Sequence, residues 1–98
     1  MTTKENILST IKSNRQYFVQ LGVRSIGLFG SYVREEQTLD SDIDLLIDFD
    51  PEKENYDNLM AIYDFVESLF QNSKVEIVTK NGLSKYIGPK ILKEVQYV

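Results

Sequence analysis

Two aspartates two positions apart are the residues of this sequence best suited to chemistry. Asp42 and Asp44 begin a stretch through Phe49 in which polar and apolar residues alternate, the pattern of a half-buried β-strand. Residues two apart on a strand point to the same side, roughly 6.5 to 7 Å apart, so the two carboxylates can converge on a cation. Carboxylate oxygens are ligands that suit Mg²⁺ or Mn²⁺. The same pattern is also compatible with an ordinary strand whose polar face is solvated, and the two aspartates alone do not decide between these interpretations.

A glycine–serine pair precedes these aspartates by ten residues and suggests phosphate binding. Gly30-Ser31 lies where a short strand gives way to a helix, and we expect Ser31 to be the N-cap of that helix. Backbone N–H groups at a helix N-terminus bind anions such as phosphates. Arg34, one helical turn later, is placed either to reach a phosphate or to pair with nearby acidic side chains. Neither GxxxxGK[ST] nor GxGxxG occurs, so the pair belongs to neither a P-loop nor a dinucleotide-binding loop.

The composition limits the chemistry to carboxylates, hydroxyls, lysine, arginine or a metal with oxygen ligands. The 98 residues include no Cys and no His, which excludes thiol nucleophiles, thiolate or imidazole metal sites and Ser-His-Asp catalysis. The formal net charge is −4, so we expect no direct contact with nucleic acid. The first residues lack the apolar core of a signal peptide, and no apolar run is long enough to span a bilayer. We therefore expect a cytoplasmic protein without membrane contact.

Hydrophobic periodicity predicts one domain over residues 1–98, with elements in the order αβαβαβα. Helices are predicted at about residues 4–21, from Ser31, at about 56–71 and at about 88–96, and strands at about 24–29, 42–49 and 74–79. Three strands, with helices able to cover one face, indicate an α/β fold of the two-layer α+β kind.

The spacing of the two motifs resembles the signature of polymerase-beta-type nucleotidyltransferases, in which a Gly-Ser pair precedes an Asp-x-Asp strand. Residues 28–34 and 41–47, which contain the two motifs, look closest to the minimal nucleotidyltransferases, stand-alone domains of about this length. Residues 74–79 and 89–95 also look like theirs, so the resemblance covers nearly the whole chain. It implies a nucleotidyltransferase-like fold, with a small mixed three-stranded sheet covered by helices.

The resemblance also implies a site. Gly30 and Ser31 would hold the nucleotide phosphates, and Asp42 and Asp44 would bind two Mg²⁺ ions. The family usually has a third carboxylate, an Asp, where this sequence has Glu76, so Glu76 is expected to be a metal ligand and a catalytic residue that helps to activate the attacking hydroxyl. Glutamate adds a methylene and rotamer freedom, and catalysis is sensitive to misplacement. The alternatives are a site that binds nucleotide but turns over poorly, or a Glu76 that simply faces solvent.

The family further implies a biological role. Minimal nucleotidyltransferases are typically paired with a HEPN-domain protein, an RNA-cleaving toxin, and act as the antitoxin by transferring AMP from ATP to a toxin tyrosine. The chain is therefore expected to be an Mg-dependent protein adenylyltransferase with two partners, a nucleoside triphosphate and a HEPN toxin. Two alternatives stay open: an antitoxin that inhibits by binding alone, and a transferase acting on a small molecule or another protein. Tyr32, Tyr86 and Tyr97 are candidates for partner contact, although a ring buried in the core with its hydroxyl in water is the more common situation for each tyrosine.

Overall fold

The computed structural model describes residues 2–98, in which five α-helices and four β-strands follow one another along the chain. The helices are α1 (Lys4–Ser13), α2 (Arg15–Gln20), α3 (Ser31–Arg34), α4 (Tyr56–Leu69) and α5 (Gly88–Glu94), and the strands are β1 (Val23–Phe29), β2 (Ile43–Phe49), β3 (Val75–Thr79) and β4 (Gln96–Tyr97). Short 3₁₀ turns at Pro51–Lys53 and Lys80–Gly82 follow β2 and β3. Within this part of the chain, no helix combines the length and the apolar character needed to cross a membrane.

The strands form one mixed sheet in the order β3-β2-β1-β4. β1 is antiparallel to both β2 and β4, whereas β2 and β3 are parallel. The mixed sheet confirms the expected fold, but the prediction of three strands was one strand short. β4 contains only two residues, too few to show an alternating pattern, and periodicity carried the last helix on to residue 96. The helix instead ends at Glu94, after which Val95 takes an extended backbone and leads into β4.

The first predicted helix is divided at Asn14. This residue leaves helical geometry, with φ −112° and ψ 15°, and its side-chain amide donates to the carbonyl of Thr10. A side chain that bonds the preceding turn competes with the regular backbone ladder. The division is invisible in the hydrophobic pattern, because the apolar positions that defined the helix, including Ile7, Ile11 and Phe18, are all buried as expected.

The two faces of the sheet are covered by different helices. The larger core lies beneath α1, α2 and α4 and includes the alternate residues of β2 that the pattern assigned to the interior: Ile43, Leu45, Ile47 and Phe49. The opposite face is packed by α5 over a smaller cluster of Phe29, Leu46 and Ile91, with Val78, Leu83 and Val95 around it. The sequence had indicated helices on one face only, because α5 buries a single large apolar side chain, Ile91, and so shows little periodicity. This second cover explains why Leu46, on the otherwise polar face of β2, is only 1% exposed.

Candidate active site

The three carboxylates singled out in the sequence converge where β2 and β3 begin. Asp44 and Glu76 are register partners in the parallel pair, and Asp42 lies one residue before β2. Each of the three offers an oxygen, and these oxygens lie within 4.8 Å of one another. Asp42 and Asp44 are half-buried, whereas Glu76 is exposed. Three carboxylates with one side open to solvent have the chemistry of a Mg²⁺ or Mn²⁺ site, in which waters and phosphate oxygens complete the coordination.

The environment of Asp44 makes ionisation of its carboxyl group unfavourable. Burial, followed by the charges of Glu76 and Asp42, raises the pKa of Asp44 from its ordinary value of 3.8 to about 6. The nearby Arg34 guanidinium opposes this rise in pKa but does not cancel it. A divalent cation between the carboxylates would offset the repulsion, because the charge of a bound ion dominates its surroundings.

Gly30 brings the glycine–serine turn into direct contact with these carboxylates. Its backbone has φ +82°, a conformation that favours glycine, and a Cβ atom there would collide with Oδ2 of Asp44. The expectation that Ser31 is the N-cap was wrong, since Gly30 is the N-cap and Ser31 is the first residue of α3, with no side-chain capping bond. The predicted start of this helix at Ser31 is confirmed, and only the identity of the capping residue differs. Within residues 2–98, the N–H groups of Ser31 and Tyr32 donate no hydrogen bond.

Arg34 is held by two carboxylates. Its Nε donates to Oε1 of Glu36 at 2.7 Å, and its Nη1 donates to Oε1 and Oε2 of Glu94 at 3.0 and 2.8 Å. These hydrogen bonds, first to Glu36 and then to Glu94, raise the pKa of Arg34. Of the two roles that the sequence allowed, pairing with acidic side chains is therefore present. Nη2 has no protein acceptor in the described part of the chain, and it remains able to donate to a phosphate.

Glu94 is the residue of this site that sequence reasoning missed. Its Oε1 accepts the backbone N–H of Gly30 at 3.1 Å in addition to the Arg34 contact, and its side chain is only 18% exposed. Glu94 is 64 positions away from Gly30 in the chain. The one available signal was an acidic residue within a C-terminal segment in which lysine prevails.

The three tyrosines considered for partner contact differ in their exposure to solvent. Tyr32 is 3% exposed and belongs to the larger core, so for this residue the interpretation as a core tyrosine holds and partner contact does not. Its position on the short helix α3 gave no periodicity from which burial could be read. Tyr86 and Tyr97 are exposed, at 84% and 49%.

A small mixed sheet with a glycine–serine turn opposite paired strand carboxylates is the arrangement that the resemblance to nucleotidyltransferases implied. The comparison with protein families agrees: the model of the nucleotidyltransferase domain family matches residues 7–98, and the chain belongs to this family. The expected class of enzyme, a nucleotidyltransferase, is thereby confirmed.

Similar proteins add detail. The protein adenylyltransferase MntA of Thermococcus cleftensis is 37% identical over 99 residues, an alignment that covers 100% of this chain and 98% of that protein. A solved structure designated a minimal nucleotidyltransferase has 28% identity and a TM-score of 0.72, over 91% of this chain and 93% of that one. A toxin–antitoxin crystal structure with AMP-PNP shares the fold, with 22% identity and a TM-score of 0.63 over 86% of this chain and 71% of that one.

Proposed function

We propose that this chain is an antitoxin that transfers AMP from ATP to a tyrosine hydroxyl of a HEPN-domain RNase toxin and thereby neutralises it. The observation that carries the proposal is the convergence of Asp42, Asp44 and Glu76 beside the turn formed by Gly30 and Ser31. The end-to-end similarity to a named protein adenylyltransferase supports a protein as the acceptor. The fold shared with a toxin–antitoxin complex that contains AMP-PNP is consistent with a toxin partner and an adenine nucleotide.

In this proposal each residue of the site has a separate role in an in-line displacement at the α-phosphorus of ATP. The N–H groups of Ser31 and Tyr32 and the Nη2 of Arg34 bind phosphate oxygens, and Asp42, Asp44 and Glu76 hold Mg²⁺. Bound at such a site, divalent ions stabilise the attacking and leaving oxygens. The acceptor oxygen forms a bond to the α-phosphorus while the bond from that phosphorus to the bridging oxygen breaks, and pyrophosphate leaves. Glu76 takes the proton that the acceptor hydroxyl loses, a role supported by its being the exposed carboxylate of the three.

The second candidate is an antitoxin that inhibits by binding alone. The observation that favours it is the Gly30 N–H, one donor of the turn, which is already bound by Glu94. A glutamate where the family usually has an aspartate points in the same direction. In this alternative the nucleotide site is weak or vestigial, and neutralisation requires one antitoxin for each toxin.

Intact-mass measurement of the toxin decides between the two functions. The proposed HEPN-domain partner is incubated with ATP, Mg²⁺ and far less than one equivalent of this protein. Transfer predicts a gain of one or more AMP units and loss of RNase activity, both absent with Asp44→Asn. Asp48→Asn is the matched control, because Asp48 lies on the same face of β2 but pairs with Arg24 outside the carboxylate cluster. Unmodified toxin that is inhibited only at full equivalence would instead support inhibition by binding.

A further inference from the structure

Glu94, in the C-terminal helix α5, bonds both the backbone N–H of Gly30 and the guanidinium of Arg34 beside the carboxylate cluster. One oxygen, Oε1, accepts from the Gly30 N–H at 3.1 Å and from Nη1 of Arg34 at 3.0 Å, while Oε2 lies 2.8 Å from the same Nη1. A carboxylate bonded to a guanidinium and a backbone amide makes charge-assisted hydrogen bonds, which are short and directional. The arrangement thus fixes the backbone at the start of the turn and the guanidinium of Arg34, and the proposed function uses both this turn and this guanidinium to bind phosphate.

The backbone that carries Glu94 is anchored on both sides. Its helix is anchored by Ile91, which is 5% exposed, and Val95 directly after it packs into the same small cluster. The next two residues form β4, which pairs with β1 at Gly27 and Leu28, immediately before the glycine–serine turn. The backbone on both sides of Glu94 is therefore held against the sheet, which keeps the base of this side chain beside the turn.

The hydrogen-bond donors near Glu94 that have no protein acceptor are suited to binding a phosphate. In the described part of the chain, the N–H groups of Ser31 and Tyr32 and the Nη2 of Arg34 have no protein acceptor. Glu94 and Glu36 occupy Nη1 and Nε of Arg34, and so they fix the plane of the guanidinium while Nη2 remains available.

On this basis we propose that Glu94 is a positioning residue of the nucleotide site, which holds the Gly30 backbone and the Arg34 guanidinium in the geometry that receives phosphate. The proposal rests on the proposed function, because it assumes that a nucleotide binds at this turn. It differs from simple competition, in which the Glu94 carboxylate would occupy a phosphate position and be displaced.

The direction in which Glu94→Gln changes the affinity for nucleotide distinguishes positioning from competition. Glu94→Gln removes a negative charge beside a site for a polyanion, and this charge change alone would strengthen nucleotide binding. Weaker binding therefore reports the loss of positioning. We expect the Kd for a non-hydrolysable ATP analogue with Mg²⁺ to rise about tenfold, as is common when a residue that orients a binding group is replaced. Glu35→Gln is the matched control, since it removes a negative charge from the C-terminal end of α3, where Glu35 bonds neither Gly30 nor Arg34, and we expect its Kd to stay within about twofold of wild type.

Glu94→Asp provides the second variant, should the loss of the charge unfold the protein. Aspartate keeps the charge but shortens the side chain by one methylene, so it cannot span Gly30 and Arg34 together. We expect weaker binding here also, with the charge unchanged. Binding by either Glu94 variant that equals or exceeds wild type would overturn the positioning role.

Nuclear magnetic resonance of the ligand-free protein tests the contact without any nucleotide. We expect the Gly30 amide proton to move upfield and exchange faster in Glu94→Gln, while Glu35→Gln, the same control as above, leaves it unchanged. An unchanged Gly30 amide in Glu94→Gln would overturn the proposal. Failure of the wild-type protein to bind the ATP analogue would overturn the proposed function and this role with it, whereas equal binding by wild type and both Glu94 variants would overturn this role alone.

Discussion

Glu76 lies directly beside Asp44, as its register partner across the parallel pair of β2 and β3. The pairing fixes the backbone of Glu76 at the same level as Asp44 and on the same face of the sheet. The additional methylene of glutamate therefore extends a carboxylate whose backbone already lies next to Asp44, and an oxygen of Glu76 lies within 4.8 Å of oxygens of Asp42 and Asp44. The geometry favours a working third carboxylate over a solvated strand residue.

Substitution of Glu76 tests this role. Glu76→Gln keeps the shape but removes the charge and the proton acceptor, so we expect AMP transfer to fall by about 100-fold or more. Glu76→Asp keeps the charge at the same register position, and we expect it to retain activity within about tenfold of wild type. Glu67→Gln, on the exposed side of α4, is the matched control and should leave transfer unchanged. Full activity in Glu76→Gln would show that the site works with two carboxylates.

Asp44→Asn should stabilise the metal-free protein, because it removes a charge that Glu76 and Asp42 repel. We expect a gain of about 1 kcal/mol, which for a domain of this size raises the melting temperature by roughly 4 to 8 °C. The same substitution should abolish the stabilisation that Mg²⁺ and ATP give to wild type. Thermal unfolding with and without ligands measures both effects, and Asp64→Asn on α4 serves as the control. An unchanged melting temperature with a normal ligand response would contradict the prediction.

The stability of the metal-free protein should also depend on pH through Asp44. The pKa of Asp44 is about 6 in the folded state and near 3.8 when unfolded, so the folded state binds this proton first as pH falls. The penalty of the buried charge is present above pH 6 and is relieved between pH 6 and 4. Since Asp44 is only half-buried, we expect this carboxyl to add about 1 to 2 kcal/mol to the free energy of unfolding between pH 7 and pH 4.5. Denaturant titrations of wild type and Asp44→Asn isolate the contribution, because all other groups titrate in both proteins. A difference between the two that stays constant with pH would refute the assignment.

The carboxylate cluster could be predicted because its signal is local. Asp42 and Asp44 are two positions apart on a strand that alternates cleanly, and the strand period alone places both side chains on one face. The apolar positions of α4 and β3 were recognised for the same reason. The partnership of Asp44 with Glu76, by contrast, depends on the parallel register of two strands, which only the resemblance to a family implied.

Other features depend on tertiary contacts that no local pattern shows. Glu94 acts on Gly30 across 64 residues, because the turn after α5 returns the chain to β1. β4 exists only through its pairing with β1 and is too short to have a period of its own. The N-cap was assigned to Ser31 instead of Gly30 because neither the positive φ of Gly30 nor its close approach to Asp44 leaves a trace in the local sequence pattern.

The two residues of the turn give different predictions, because Gly30 lies against Asp44 whereas the Ser31 hydroxyl makes no capping bond. Gly30→Ala places a Cβ against Oδ2 of Asp44 at φ +82°, so we expect it to destabilise the protein by at least about 1 kcal/mol and to weaken nucleotide binding. Ser31→Ala should change the free energy of unfolding by less than about 0.5 kcal/mol, since the hydroxyl makes no capping bond. A serine that served as N-cap would instead cost about 1 kcal/mol on replacement. Chemical denaturation of both variants measures these effects. A Gly30→Ala protein as stable as wild type, or a Ser31→Ala protein that loses about 1 kcal/mol, would show that the turn is built differently.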